Sequence, residues 1–136
     1  MSELAERRLE VVRQHMEAEN RLDFDAVIET FARPRYELMA SGRVFDGEDE
    51  VRQYFAQSRR MFPDQRNEDA VLRVIDDGVV AEFDLLGTHV ETGRAFRSRM
   101  LALFLFEDDH IVCERVYFDR SSIDAQVAPD RDAPVS

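Results

Sequence analysis

Apolar residues in the first half of the chain recur at helical spacing. One apolar stripe covers residues 4–22 in steps of three and four, and it includes His15, while charged residues fill the opposite face. Asp23 is placed to cap a second, shorter helix that Pro34 ends. A third stripe runs from Val51 to Phe62. The pattern therefore predicts three amphipathic helices.

The period of the pattern changes to two in the second half of the chain. We expect strands near residues 70–75, 79–87, 95–106 and 111–118, after an early hairpin that turns at Ser41-Gly42. This order predicts an α+β fold in which a curved antiparallel sheet wraps on the N-terminal helices. The sheet should be strongly bent and should enclose a small-molecule pocket. Residues 1–126 should form one domain, and 127–136 a frayed C-terminal tail.

Alternation within the strands separates the two faces of the sheet. The side chains expected to face the pocket are Phe83, Leu85, Met100, Ala102, Phe104 and Val116. Glu82 and Asp84 should face outward and pair with Arg97 and Arg99 of the next strand. Leu101, Leu103 and Leu105 alternate with those arginines on the outer face, which predicts that a second copy covers it in a homodimer.

Composition narrows the classes of partner. The net charge of −11, from 29 acidic against 18 basic residues, disfavours a nucleic-acid partner. The longest apolar run, residues 100–106, is far shorter than a membrane span, so we expect no membrane partner and a cytoplasmic location. Cys113 is the single cysteine, and the three histidines lack metal-ligand spacing. No Gly-rich phosphate loop is present, and we expect neither a metal nor a cofactor.

Several short strings resemble the nuclear transport factor 2-like and SnoaL-like superfamily over about residues 4–126. The strings are Leu22-Asp23-Phe24-Asp25-Ala26-Val27, Phe62-Pro63-Asp64, Gly87-Thr88-His89, Thr92-Gly93-Arg94 and the run from Ile111 to Asp119. The resemblance implies a cone-shaped pocket that in relatives serves isomerases, cyclases, dehydratases, epoxide hydrolases and plain binding proteins. Such a fold leaves the function open.

The resemblance also implies where relatives keep their catalytic groups, and most of these are missing. The matching positions carry Met39, Phe83, Leu85, Met100, Ala102 and Val116. His15, which matches a tyrosine of ketosteroid isomerase, can still form hydrogen bonds. The sequence therefore predicts an unusually apolar pocket, with those six side chains and His89, at its rim, as the substrate-binding residues.

Three polar residues remain as candidate acid/base groups. His15 lies on the apolar stripe of the first helix, and strand parity aligns Glu37 with Met39 and Glu114 with Val116. They predict a cofactor-free isomerase, cyclase or dehydratase acting on an apolar small molecule. His15 could instead bond a backbone carbonyl, and Glu37 could pair with Arg35 or Arg43 outside the pocket. In that case a non-catalytic protein that binds an apolar ligand is the alternative.

Overall fold

A computed structural model of the chain describes residues 1–130. The helices are α1 (Glu3–Asn20), α2 (Phe24–Glu29), α3 (Glu48–Met61) and α4 (Arg120–Val127). The strands are β1 (Arg35–Leu38), β2 (Arg43–Asp46), β3 (Arg66–Ile75), β4 (Gly78–Thr88), β5 (Ala95–Glu107) and β6 (His110–Tyr117). The three predicted helices, the hairpin and the four-strand meander are confirmed, and α4 is an addition.

The C-terminal region differs from the expected frayed tail at its start. Val127, assigned to that tail, is the buried last residue of α4, and its carbonyl accepts a hydrogen bond from the Thr92 hydroxyl at 2.8 Å. Helix α4 is capped by Asp119, whose side chain accepts from the backbone N–H of Ser122. The part of the expected tail at 131–136 lies outside the described residues.

Within residues 1–130 the strands form one curved, unclosed sheet in the order β2-β1-β6-β5-β4-β3. The α+β class is confirmed, but the sheet is not wholly antiparallel, since β1 runs parallel to β6. The segment before β1 already lies beside β6, where the Ala32 N–H donates to the Ile111 carbonyl. This pairing places Tyr36 opposite Glu114 and Leu38 opposite Val116.

The three N-terminal helices pack on the concave face of the sheet. Val12 of α1, Val27 of α2, and Val51 and Phe55 of α3 are buried in the same hydrophobic cluster as Phe104 of β5. The end of α1 is held to β3 by two hydrogen bonds between Asn20 and Asn67, of 2.8 and 2.9 Å. The last turns of α1 are thereby fixed above the sheet.

The predicted faces of β4 and β5 are confirmed. All six side chains assigned inward are buried except Leu85, which is half-buried. On the outer face Asp84 pairs with Arg97 and Arg99, whereas Glu82 pairs with Arg73 of β3. The outward Leu101, Leu103 and Leu105 are half-buried, and the homodimer stays a prediction. No helix among residues 1–130 is both long enough and apolar enough to cross a membrane.

Candidate active site

An inner cavity of about 50 Å³ lies between α1, α3 and the concave face of the sheet. Its ionisable lining residues are Glu19, Tyr36, Tyr54, Arg59 and Glu114, and Gln65 and Asn67 add two amides. Phe83, Leu85, Met100, Phe104 and Val116 form most of its apolar wall. Ionisable groups from α1, α3, β1 and β6 therefore meet in one cavity that also has an apolar wall.

An outer cavity of about 160 Å³ continues from the inner one. The two share Tyr54, Gln65, Leu85, Met100 and Val116, and the outer one extends to apolar residues that include Leu38, Phe118 and Ile123. A larger groove of about 410 Å³ lies between α1 and α2, but it is open and none of its lining residues is buried. The paired cavities under the sheet are thus the better candidate site.

The contact with Thr30 fixes a proton on Nδ1 of His15. The Thr30 hydroxyl donates its only proton to the Val27 carbonyl at 2.6 Å, and its oxygen lies 2.9 Å from His15 Nδ1. The oxygen can only accept there, so Nδ1 carries a proton. The imidazole is fully buried and packs edge-on against Phe31 and Phe104. Its Nε2 therefore faces the ionisable groups.

Two carboxylates meet His15 at Nε2. Glu19 Oε1 lies 2.8 Å and Glu114 Oε1 2.9 Å from this nitrogen, and the Tyr36 hydroxyl lies 3.3 Å from it. Burial alone would lower the pKa of His15, but the charge of Glu19 and the acceptor contacts that both carboxylates offer the protonated ring outweigh it and raise the pKa to about 10. His15 is consequently an imidazolium at neutral pH.

The two glutamates titrate in opposite directions. Burial raises the pKa of Glu114, which is 5% exposed, and the negative charge of Glu19 adds to this despite the hydrogen bond with His15. Burial alone would raise the pKa of Glu19 too, but the charges of His15 and Arg59 and the His15 hydrogen bond lower it. Glu19 is therefore the permanent anion, and Glu114 is the carboxyl with the greater affinity for a proton.

Glu114 and His15 form a buried ion pair. Glu114 Oε1 lies 2.9 Å from His15 Nε2, although the angle between the groups falls outside that of a normal hydrogen bond. The neighbouring Tyr36 and Tyr54 stay neutral, since burial raises the pKa of both phenols. Because Oε1 is fully enclosed, a molecule in the inner cavity could contact Glu114 only through the 7% of its side chain that is exposed.

The same cluster offers one donor atom each from His15, Glu19 and Glu114, all within 4.8 Å of one another. That set of ligands could hold a divalent cation. The positive guanidinium of Arg59 already lies 3.7 Å from Glu19, and the His15 proton would have to leave. The charges present among the described residues fit a shared proton better than an added metal ion.

Residues 12–114 match the sequence profile of the SnoaL-like domain, which covers more than half of the chain. The chain belongs to the SnoaL-like family. A search of curated proteins gave no match. The resemblance stated from the strings along the sequence is confirmed.

Solved structures share the fold of this SnoaL-like domain. A candidate polyketide cyclase from Xanthomonas campestris has a TM-score of 0.84 at 23% identity, covering 91% of this chain and 98% of that one. A candidate SnoaL-like polyketide cyclase from Jannaschia sp. CCS1 has a TM-score of 0.84 at 18% identity, covering 96% and 98%. A Catenulispora acidiphila protein with a ketosteroid isomerase-like fold, solved with trimethylamine, has a TM-score of 0.80 at 20% identity, covering 93% and 98%.

Two predicted site residues of the SnoaL-like domain lie outside the cavities. Glu37 faces away from the helices, where its carboxylate oxygens lie 2.7 Å from Arg115 Nε and 2.9 Å from Arg35 Nη2. These hydrogen bonds, that from Arg115 above all, lower the pKa of Glu37. Met39 is 43% exposed. The predicted parity of β1 was wrong, because the two large side chains that alternate with them, Tyr36 and Leu38, occupy the interior.

The other predicted residues divide between the cavity walls and their surroundings. Phe83, Leu85, Met100 and Val116 line the inner cavity, whereas Ala102 is buried without lining either cavity. The half-buried His89 lines neither one. His89 lies in the turn after β4, and the centroid of its ring is 5.5 Å from that of the Phe62 ring. Of the proposed acid/base groups, His15 and Glu114 are brought together and Glu37 is separated from them.

Sequence reasoning missed Glu19, Tyr36, Tyr54 and Arg59. Glu19 was detectable, because it follows His15 by four residues and so lies on the same face of α1. Tyr36 would have followed from the opposite parity of β1. Arg59 is explained equally well by its place in the last turn of a helix, and no signal distinguished it from Arg60.

Proposed function

We propose that this SnoaL-like protein is a cofactor-free enzyme that moves a proton on a small, largely apolar substrate, in an isomerisation, cyclisation or dehydration. One observation carries the proposal: the buried Glu114 lines the inner cavity and lies 2.9 Å from the buried His15. Proton transfer needs such a group within reach of the substrate and with a raised proton affinity.

In this proposal Glu114 takes a proton from the bound substrate and returns it at a second position. Its raised pKa makes the carboxylate a stronger base than an exposed glutamate. The imidazolium of His15, 2.9 Å away, stabilises the carboxylate when the proton is released. Glu19 stays ionised and balances the charges of His15 and Arg59. The substrate's apolar part would lie against Leu85, Met100 and Val116.

The names of the structural relatives agree with this class of reaction without establishing it. Several are candidate polyketide cyclases, and one from Bacillus subtilis is a candidate isomerase. Those proteins are 18 to 23% identical to this chain, so their activities do not transfer to it. The reaction class proposed here therefore depends on Glu114 and His15.

A non-catalytic binding protein is the second candidate, and the placement of Glu37 favours it. That carboxylate is held by Arg35 and Arg115 outside the cavities, so one of the three predicted acid/base groups is removed. The apolar wall at Phe83, Leu85 and Met100 would suit a bound apolar ligand equally well. What distinguishes the candidates is whether a bound molecule exchanges a proton.

An exchange screen tests the proposal without knowledge of the natural substrate. Small cyclic ketones and 1,3-dicarbonyl compounds would be incubated with the protein in D₂O, and exchange of their carbon-bound protons followed by NMR. We expect faster exchange for at least one compound that also shows line broadening on binding. Suppose that compounds bind at the cavities but their carbon-bound protons exchange no faster than in buffer alone. That result would contradict the enzyme hypothesis and favour the binding-protein hypothesis.

A further inference from the structure

The outer cavity has an apolar floor and a basic rim. Its floor is formed by buried apolar side chains, which are Leu38, Met100, Val116 and Ile123. Two exposed side chains, Arg43 of β2 and Arg120 of α4, are the charged residues that line it within residues 1–130. The cavity therefore combines an apolar space with positive charge at its exposed side.

This local positive charge is contrary to the composition of the chain, which has 29 acidic and 18 basic residues. The open groove between α1 and α2 follows the composition, since Glu17, Glu29 and Asp109 line it. In the part of the chain that the structure describes, no aspartate or glutamate lines the outer cavity. Exposed charges more than about 10 Å apart are largely screened at 0.1 M salt, so the two arginines dominate the electrostatic potential at this rim.

Both guanidinium groups keep donors that a ligand can use. The Arg43 guanidinium lies over the Phe45 ring at 4.9 Å and forms no ion pair with a residue in the range 1–130. Arg120 donates from Nε to Asp124 at 2.9 Å, and neither of its Nη atoms has an acceptor among the same residues. Asp124 offsets the charge of Arg120, so Arg43 supplies most of the uncompensated positive charge. The paired N–H groups of a guanidinium match the two oxygens of a carboxylate.

We propose that the outer cavity binds a small carboxylate with an apolar body, and that Arg43 and Arg120 bind its carboxylate group at the rim. This inference rests on the proposed function, in that it takes the two adjoining cavities as the ligand site. The apolar body would occupy the space of about 160 Å³ beside Met100 and Val116. Both residues also line the inner cavity, so the end of the ligand far from the carboxylate would point towards Glu114. The two arginines determine ligand specificity and take no part in proton transfer.

A pair of probes tests the carboxylate site. The probes are cyclohexanecarboxylate and cyclohexanecarboxamide, which have nearly the same shape and differ in charge. Their affinities are measured at pH 7 and low ionic strength by NMR titration of the methyl signals of Met100 and Ile123. We expect the carboxylate to bind about fivefold more tightly or better, the upper value for one exposed ion pair. Equal affinities, a preference for the amide, or a carboxylate that does not shift these signals in the millimolar range would overturn the proposal.

Variants assign the preference to the rim. Arg43→Met should lose most of it, and adding Arg120→Met should abolish it, while the amide binds as before. Both side chains are exposed, so the variants should fold. Arg60→Met is the control, because it makes the same change of charge in the last turn of α3, at an exposed residue that lines neither cavity. A preference that persists in the double variant, or that Arg60→Met removes equally, would overturn the proposal.

Glu114→Gln separates this inference from the proposed function. Glu114 does not line the outer cavity, so this variant should retain the preference for the carboxylate and lose proton exchange. Proton exchange by a protein without any preference for the carboxylate would support the enzyme and overturn the carboxylate site. A preference that depends on Arg43, in a protein that exchanges no carbon-bound proton, would support the carboxylate site and contradict the enzyme.

Discussion

Replacing Glu114 by glutamine should reduce the rate of proton exchange by about two orders of magnitude or more. Glutamine keeps the size of the side chain and its place on β6 at the wall of the inner cavity, but it has no carboxylate to accept a proton. A positioned general base contributes roughly 10²- to 10⁴-fold to the rate. The measurement is the first-order exchange rate of the best compound from the D₂O screen, at saturating concentration.

Glu37→Gln is the matched control for that variant. It makes the same chemical change on the neighbouring strand, at a carboxylate held by Arg35 and Arg115 outside both cavities. Its exchange rate should equal that of the wild type. An unchanged rate for Glu114→Gln would exclude Glu114 as the base, whereas a loss confined to Glu37→Gln would reinstate the parity expected from the sequence.

Replacing His15 by glutamine should lower the free energy of unfolding by about 3–5 kcal/mol. The substitution removes the cation between the half-buried Glu19 and the buried Glu114. Breaking a buried ion pair by removing one partner costs this much because the remaining charge is left without compensation. Urea unfolding at neutral pH measures the change. His110→Gln is the control, since His110 is exposed and pairs only with the adjacent Asp109, so its effect should stay within about 0.5 kcal/mol.

The stabilisation by His15 should also depend on pH. The groups that face the ring are Glu19 of α1, Tyr36 of β1 and Glu114 of β6, and Arg59 of α3 lies beyond Glu19. With a pKa raised from 6.5 to about 10, the folded protein keeps a proton that the unfolded chain has lost. The stabilisation is therefore complete below 6.5 and is lost as the pH rises towards about 10.

The stability difference between wild type and His15→Gln should consequently be largest in acid and should narrow with rising pH. The slope between these limits is at most about 1.4 kcal/mol per pH unit for one proton. Urea titrations at a series of pH values measure it. A difference that stays constant from pH 6 to pH 10, or that widens, would mean that His15 is neutral in the folded protein.

Much of the fold could be predicted from hydrophobic spacing alone. Helix α1 and strands β4 and β5 have long, regular patterns, and the faces of these three elements were assigned correctly, as the burial of Val12, Phe83 and Phe104 shows. The parallel pairing of β1 with β6 could not be predicted, because it depends on contacts between distant segments. Helix α4 was missed because its polar sequence buries only Ile123 and Val127, a pattern too short to indicate a period.

The site was predicted less completely, and β1 shows why. In this short strand either Tyr36 and Leu38 or Glu37 and Met39 could face the interior, and both pairs include an apolar residue. The packing of Tyr36 against Tyr54 and Phe55 settles the choice, and those contacts join separate elements. His15 and Glu114 were found because they interrupt long apolar patterns. Arg59 was not, since its contact with Glu19 joins α3 to α1 and depends on three-dimensional packing.

The titration of Glu114 tests the central claim most directly. Glutamate labelled with ¹³C at the carboxyl carbon gives one NMR signal for each side chain, and the Glu114→Gln variant identifies the signal that belongs to position 114. We predict a midpoint for Glu114 above its ordinary value of 4.5, with Glu19 titrating below 4.5 beside His15. A Glu114 midpoint at or below 4.5 would show a carboxylate fully compensated by its neighbours, and would contradict its role as the proton carrier of the cavity.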